Sequence, residues 1–120
     1  MTLDAYRRVQ SISATPRATE YRLMSQVTGD LIQARESGLK GAALIRQLHR
    51  NREVWGTLAV LCGSPGNKLP TTLRASIISL ALWVERYTSD VVRQRDSIDA
   101  LINVNCAIME GLASENAIAA

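Results

Sequence analysis

Few residues of this chain have the types and spacing that catalysis or metal binding requires. The single histidine, His49, has only Glu53 as a carboxylate one helical turn away, and such a pair on a helix surface is usually a weak ion pair. Cys62 and Cys106 lie in apolar helical contexts without a CxxC motif, which favours buried free thiols over a disulfide, a zinc site or a redox motif. We therefore expect neither a metal nor a cofactor.

The glycine-rich and nucleophile motifs of common enzyme classes do not occur in the sequence. We find no P-loop, no dinucleotide-binding fingerprint and no nucleophile elbow. The glycine cluster Gly63-Ser64-Pro65-Gly66 follows a helical pattern instead of a strand, so it is expected to end a helix. These features favour a binding protein over an enzyme.

The positive charge of the chain is spread along the sequence. Its 14 Lys and Arg residues exceed its 11 Asp and Glu residues and give a formal net charge of +3. A nucleic-acid footprint needs basic residues concentrated on one face. Arg46, His49, Arg50 and Arg52 instead cover more than half of a helix circumference, which favours a solvated face over a contact with RNA phosphates.

The sequence predicts a soluble, cytoplasmic protein with no membrane partner. Asp4, Arg7 and Arg8 lie where a secretion signal would have an apolar run. The longest uncharged stretch, 54–67, is interrupted by glycine and proline and is shorter than the ~20 apolar residues that a spanning helix needs.

Apolar spacing predicts a first helix that opens at Thr15 and Pro16. Threonine is a favourable N-cap, and proline at the first helical position loses no hydrogen bond. This helix is expected to end at Gly38, and a second is predicted from about 41 to 62. The expected core-facing seams are Leu23, Val27, Leu31 and Ala34 on the first helix and Leu44, Leu48, Asn51, Trp55, Leu58 and Cys62 on the second.

A third helix is predicted from about Pro70 to Arg95, and a fourth after a cap at Asp96 or Ser97. Apolar residues at alternating steps of four and three are typical of a bundle seam, and the short connection implies antiparallel neighbours. The seams are Leu73, Ile77, Leu80, Val84, Tyr87 and Val91 on the third helix, and Ile98, Leu101, Asn105, Ile108 and Leu112, broadened by Ile102 and Met109, on the fourth.

The predicted fold is all-α, because no strand pair with hairpin turn chemistry occurs. We expect a small antiparallel bundle of four main helices forming a single domain over residues 1–120. Residues 1–12 form either a short extra helix, using Leu3, Tyr6 and Val9, or a flexible arm. The tail 113–120 is expected to fray.

The third helix has a second apolar face. At 100° per residue, Ala75, Ile78 and Leu82 lie almost opposite the seam. Two interpretations stay open. The favoured one is a central bundle helix that is buried on both sides. The other is a surface groove that receives an amphipathic helix of a partner.

Trp83 is the best aromatic candidate for a partner contact. It flanks the seam of the third helix, so its indole edge is expected to be partly exposed. Exposed Trp and Arg side chains are the commonest interface hot spots. The predicted partner-binding set is therefore Ile78, Leu82 and Trp83, with Arg74 and Arg52 at its polar rim.

Asn51 and Asn105 lie on otherwise apolar seams, and Trp55 lies on the same seam as Asn51. An unpaired buried amide costs about 1–3 kcal/mol, so each asparagine is expected to hydrogen-bond with loop backbone or with the other. A role in fixing register or oligomeric state is favoured over direct partner contact. Trp55 is expected in the core.

The ordered set of short motifs resembles the flagellar biosynthesis regulator FlaF family over about residues 5–112. The matching residues are Tyr6, Thr15-Pro16-Arg17 with Glu20, Asn51-Arg52 before Trp55, Leu69-Pro70, Leu73-Arg74-Ala75, Ile78-Ser79, Leu82-Trp83-Val84, Leu101-Ile102, Asn105 and Gly111-Leu112.

The resemblance implies a non-enzymatic cytoplasmic factor that supports flagellin synthesis or export. The implied partners are flagellin, whose helical terminal segments must be shielded before secretion, and the post-transcriptional flagellin regulator FlbT. RNA would be involved only indirectly. The alternatives are direct binding of flagellin messenger RNA and a structural homodimer, so the chain is either a monomer or a homodimer.

Overall fold

The computed structural model describes residues 16–119, and the side chains of residues 18–114. Four α-helices account for this part of the chain: α1 (Pro16–Glu36), α2 (Gly41–Gly63), α3 (Thr71–Val92) and α4 (Asp99–Ala119). Helix α2 packs against α1 and α3, and α4 packs against α1 and, less closely, against α3. The predicted all-α bundle of four main helices is confirmed.

Contacts near the helix ends show that α1 and α4 are antiparallel to each other, as are α2 and α3. The Arg35 guanidinium at the end of α1 lies 3.0 Å from an Asp99 carboxylate oxygen at the start of α4. At the opposite end, Arg74 Nε in the first turn of α3 donates a 2.8 Å hydrogen bond to the Cys62 carbonyl in the last turn of α2. The two helices of each pair therefore run in opposite directions.

The first two helices have the predicted bounds. Helix α1 stops before Gly38, whose φ of 65° lies in the left-handed region that glycine adopts without steric cost. The Leu39 N–H donates to the Ala34 carbonyl across this turn at 2.9 Å. Helix α2 ends in the predicted glycine cluster. The predicted cap Thr15 lies outside the described residues.

Helix α3 ends at Val92 and not at the predicted Arg95. The chain turns at Gln94, which has a φ of 61°, and the Arg95 N–H donates to the Asp90 carbonyl at 2.9 Å. This geometry resembles a glycine C-cap but uses glutamine, so the sequence carries no glycine signal there. The predicted cap at Ser97 is confirmed, because its hydroxyl oxygen accepts the Asp99 N–H at 3.1 Å.

The predicted seams form one hydrophobic core except at Leu23, which is half-buried and lies outside it, while the neighbouring Met24 is fully buried. Leu44, Leu73 and Leu80 are half-buried at its margin. The expectation that both cysteines are buried is wrong for Cys106, which is exposed because it lies one position, or about 100°, past the seam residue Asn105. The fully buried side chains with the largest volumes are Trp55, Met24, Leu31, Leu48, Leu58, Ile77, Leu101, Leu112 and Val84.

The predictions for the chain ends have different outcomes. The short helix or arm over 1–12 lies outside the described residues. Helix α4 continues to Ala119, through most of the stretch 113–120 for which we predict fraying. Fraying of that tail stays a prediction.

Candidate functional site

The two seam asparagines and Trp55 form a hydrogen-bonded chain inside the bundle. The Trp55 indole N–H donates to Asn105 Oδ1 at 2.8 Å, and Asn105 Nδ2 donates to Asn51 Oδ1 at 2.7 Å. All three side chains are almost fully excluded from solvent. An indole nitrogen can only donate, so it fixes which end of the Asn105 amide is oxygen. The chain links α2 to α4 across the bundle interior.

This polar chain belongs to the fold and is closed to a partner. Of the two arrangements expected for Asn51 and Asn105, the structure shows the one in which they pair with each other. Asn51 Nδ2 has no hydrogen-bond acceptor among the described residues. A role for the pair in fixing register stays a prediction.

The second apolar face of α3 points outward. Leu82 exposes 64% of its surface and Ile78 exposes 38%, and Ala75 is also exposed. The favoured expectation, a helix buried on both sides, is wrong. Helix α3 has two packed neighbours, α2 and α4, and none of the described helices covers its remaining side.

Val60 of α2 extends this exposed surface onto the neighbouring helix. Bonds from Arg52 to Ser89 and from Arg74 to Cys62 fix the antiparallel register of α2 and α3, and that register places Val60 level with Ile78. Val60 exposes 70% of its surface, more than any other large apolar side chain of the described residues. Val60, Ile78 and Leu82 are called the outer apolar patch below.

Sequence reasoning missed Val60, although a signal was present. Val60 lies about 160° from the seam residue Leu44 on the helical wheel, so it could not belong to the core face of α2.

Trp83 lies on the side of α3 that faces α4. Its ring stacks on that of Tyr87, with centroids 4.6 Å apart and an angle of 22° between the planes. Both side chains are half-buried, in agreement with the partial exposure predicted for Trp83. The Tyr87 hydroxyl donates to the Ser97 carbonyl at 2.7 Å, so the aromatic pair also holds the α3–α4 connection.

The two predicted rim arginines join α2 to α3. Arg74 caps the C-terminal end of α2 through the Cys62 carbonyl, where a cation is favoured by the free carbonyls and the helix dipole. Arg52 is half-buried and donates to Ser89 Oγ at 3.2 Å and to the Glu85 carbonyl at 3.3 Å. Both therefore have contacts within the chain, and partner binding by either stays a prediction.

The predicted solvated face of α2 is confirmed for Arg46, His49 and Arg50, which are exposed, but is wrong for the half-buried Arg52. His49 Nε2 lies 2.7 Å from Glu53 Oε1, and both side chains are exposed. Arg50 pairs with Asp30 of α1 at 3.1 Å. Within the described part of the chain, no group of three or more His, Cys, Asp and Glu residues could hold a metal ion, and no helix is long and apolar enough to cross a membrane.

These observations define a small all-α bundle with an uncovered apolar patch on one helix pair. A family model described as flagellar protein FlaF matches residues 2–112, which is nearly the whole chain. The chain belongs to the FlaF family and is therefore a flagellar protein. No match was found among curated proteins or among solved structures.

Proposed function

We propose that this protein is a non-enzymatic cytoplasmic factor that binds flagellin, or the flagellin regulator FlbT, through the outer apolar patch. Binding there would support flagellin synthesis or export. The single observation that carries the proposal is the exposure of three large apolar side chains, Leu82 and Ile78 on α3 and Val60 on the adjacent α2, in a chain of the FlaF family.

The shape of the surface suits a helix from a partner. Two antiparallel helices leave a shallow groove between them, and an amphipathic helix can lay its apolar face into such a groove. Leu82 and Ile78 are exposed on α3, and Val60 is exposed on α2 at the level of Ile78. Flagellin's helical terminal segments, implied by the family, offer such a face.

The charged residues near the patch add specificity more than attraction. Arg52 and Glu85 form a loose ion pair across α2 and α3, with 3.7 Å between Nε and Oε2. Since Glu85 offsets part of the charge of Arg52, binding at the outer apolar patch should depend mainly on apolar burial, at roughly 25 cal/mol per Å². We therefore expect weak salt dependence and a negative heat-capacity change on binding.

The test is a calorimetric titration of the full chain with monomeric flagellin, and then with FlbT, at low and moderate salt. Leu82→Asp should weaken binding about tenfold or more, because it places a charge at the centre of an apolar contact. The matched control is Leu61→Asp, since Leu61 is also exposed on α2 but lies on the side that faces α1.

Each outcome of this titration has one interpretation. Unchanged binding by Leu82→Asp would reject the outer apolar patch as the binding surface.

Binding to flagellin messenger RNA that falls steeply with salt would favour the alternative of direct RNA recognition, because phosphate contacts release counterions. Light scattering of the unliganded protein separates the monomer from the homodimer.

A further inference from the structure

A second concave surface lies between α2 and α3, at the bundle end that carries the α1–α2 and α3–α4 connections. Two cavities of about 490 and 300 Å³ meet there, because Ile45, Leu48 and Val92 line both of them. We call their union the end cleft. Its floor includes the buried Leu48 and Val91, while Ile45 and Val92 expose 47% and 40% of their surfaces at its mouth.

The end cleft lies where α3 ends. After Val92 the chain makes a left-handed turn at Gln94, and the connection to α4 lines the same cavity as the first turns of α2. The cleft is separate from the outer apolar patch. Leu82 precedes Val92 by ten residues, about 15 Å along α3 at ~1.5 Å per residue, and the Arg52–Glu85 pair lies between them.

The residues around the end cleft carry an excess of positive charge. Lys40 and Arg93 line it and have no ion pair among the described residues, while Asp96 is the one lining carboxylate. Arg52 Nε is buried without a hydrogen-bond acceptor in the described part of the chain, because Glu85 Oε2 is 3.7 Å away. The other basic lining side chains already pair with carboxylates.

We propose that the end cleft binds a segment of another protein in which large apolar side chains are flanked by carboxylates. The apolar side chains would fill the space over Leu48 and Val91. The carboxylates would accept charge-assisted hydrogen bonds from Arg52 and Arg93. A volume of about 490 Å³ lies within the range of ligand pockets and is large enough for several side chains.

Charge argues against two other occupants of the end cleft. The chain's own N-terminal segment, 1–15, carries Asp4 against Arg7 and Arg8, so it brings the same sign of charge as the cleft. A second copy docked through a two-fold axis here would set the cationic surface against itself. The proposal concerns a different surface from the outer apolar patch and does not depend on it.

The test uses two synthetic helical peptides of equal length with the same leucine-rich face, one flanked by glutamates and the other by lysines. Each is titrated into the isotope-labelled full chain while backbone amide shifts are followed. The glutamate peptide should shift the amides of Ile45, Val92 and Arg93. It should also bind about tenfold or more tightly than the lysine peptide, a difference of roughly 1.4 kcal/mol.

Two matched variants assign the charge contact. Arg93→Gln should weaken binding of the glutamate peptide about three- to tenfold and leave the lysine peptide unaffected. Arg95→Gln is the control, since Arg95 is exposed nearby but does not line the cleft. Equal effects of the two variants, or equal affinities of the two peptides, would overturn the proposal.

Two further results would also overturn it, and both are distinct from a failure of the flagellin hypothesis. Loss of peptide binding in Leu82→Asp would move the peptide to the outer apolar patch. Displacement of the peptide by an RNA oligonucleotide, with shifts at Arg52 and Arg93, would assign the cations to phosphate. If Leu82→Asp abolishes flagellin binding but retains peptide binding at the cleft, both proposals stand independently.

Discussion

Two regions of the molecule contain side chains of a type that is uncommon there. The interior between α2 and α4 buries polar groups, whereas the outer surface of α2 and α3 exposes apolar ones. Inside, two amides and an indole N–H are fully buried but hydrogen-bonded to one another. Outside, leucine, isoleucine and valine side chains contact solvent. Burying a polar group costs little free energy once that group has a hydrogen-bond partner within the chain. The exposed apolar side chains have no comparable partner, because none of the described helices covers them.

The distribution of the exposed apolar residues strengthens this contrast. Single exposed hydrophobic residues are normal on protein surfaces. Of the seven large apolar side chains that the described residues expose, five belong to the outer apolar patch or to the end cleft. The interior polar groups, apart from Asn51 Nδ2, are therefore accommodated by pairing within the fold, and the exposed apolar groups are the observation that motivates the two binding proposals.

The largest change in stability should appear when two variants, each with one new aspartate, are compared on opposite sides of α3. Ile77 is fully buried and Ile78, its neighbour in sequence, is partly exposed. Ile77→Asp should cost about 4 kcal/mol or more, enough to unfold most of a marginally stable protein, because it buries an unpaired carboxylate. Ile78→Asp should change the free energy of unfolding by about 1 kcal/mol or less.

Chemical denaturation followed by circular dichroism measures both variants. Binding to flagellin should be lost in Ile78→Asp while its helicity is retained. Comparable destabilisation by the two substitutions would mean that the outer side of α3 is covered in solution, and the contrast between the two regions would then fail.

An intermediate effect is expected for the interior polar chain. Asn105→Ala would leave the Trp55 N–H and the Asn51 carbonyl oxygen buried without their partner, at about 1–3 kcal/mol for each group. The two costs sum to about 2–6 kcal/mol, and we expect a loss of about 2–4 kcal/mol in the free energy of unfolding because a water molecule in the vacated space would satisfy part of the lost bonding. Asn103→Ala on the exposed side of the same helix is the control, with an expected change of ~0.5 kcal/mol or less. If the two variants are equally stable, the chain makes no net contribution.

The sequence predicted those features that depend on local chemistry and periodicity. Pro16 and Gly38 are strong boundary signals, and the seams of all four helices follow from the spacing of apolar residues. The end of α3 was misplaced because Gln94 adopts a conformation for which glycine is the usual signal. Periodicity therefore identified the helices and their inner faces, but not every boundary.

The candidate site was only partly predictable, because exposure is a property of the assembled bundle. Periodicity identified a second apolar face at Ile78 and Leu82, but whether another helix covers that face depends on the order of packing. Val60 joins the patch only through the α2–α3 register. The pairing of Asn51 with Asn105 likewise requires two helices that are distant in sequence to meet in the interior.

The smallest effect should distinguish the interior polar chain from a surface ion pair between α1 and α4 by their response to acid. The interior amides do not titrate, so the Trp55–Asn105–Asn51 chain contributes equally at every moderate pH. The surface pair between Arg35 and Asp99 does titrate. The Arg35 guanidinium, helped by the Ser97 hydroxyl, lowers the pKa of the Asp99 carboxyl from its ordinary value of 3.8.

Because the pKa of Asp99 is lower in the folded state, the unfolded state binds the proton more readily. The stabilisation from Asp99 is therefore fully present above pH 3.8 and is lost as the pH falls through the lower folded value. Asp99→Asn should reduce the acid dependence of the melting temperature in this range. The control is Glu110→Gln, which should not reduce it, because Glu110 is exposed on the same helix and has no ion pair among the described residues. The difference should shrink at high salt, since both partners are largely exposed. An unchanged acid profile in Asp99→Asn would mean that the pair does not hold α1 to α4 in solution.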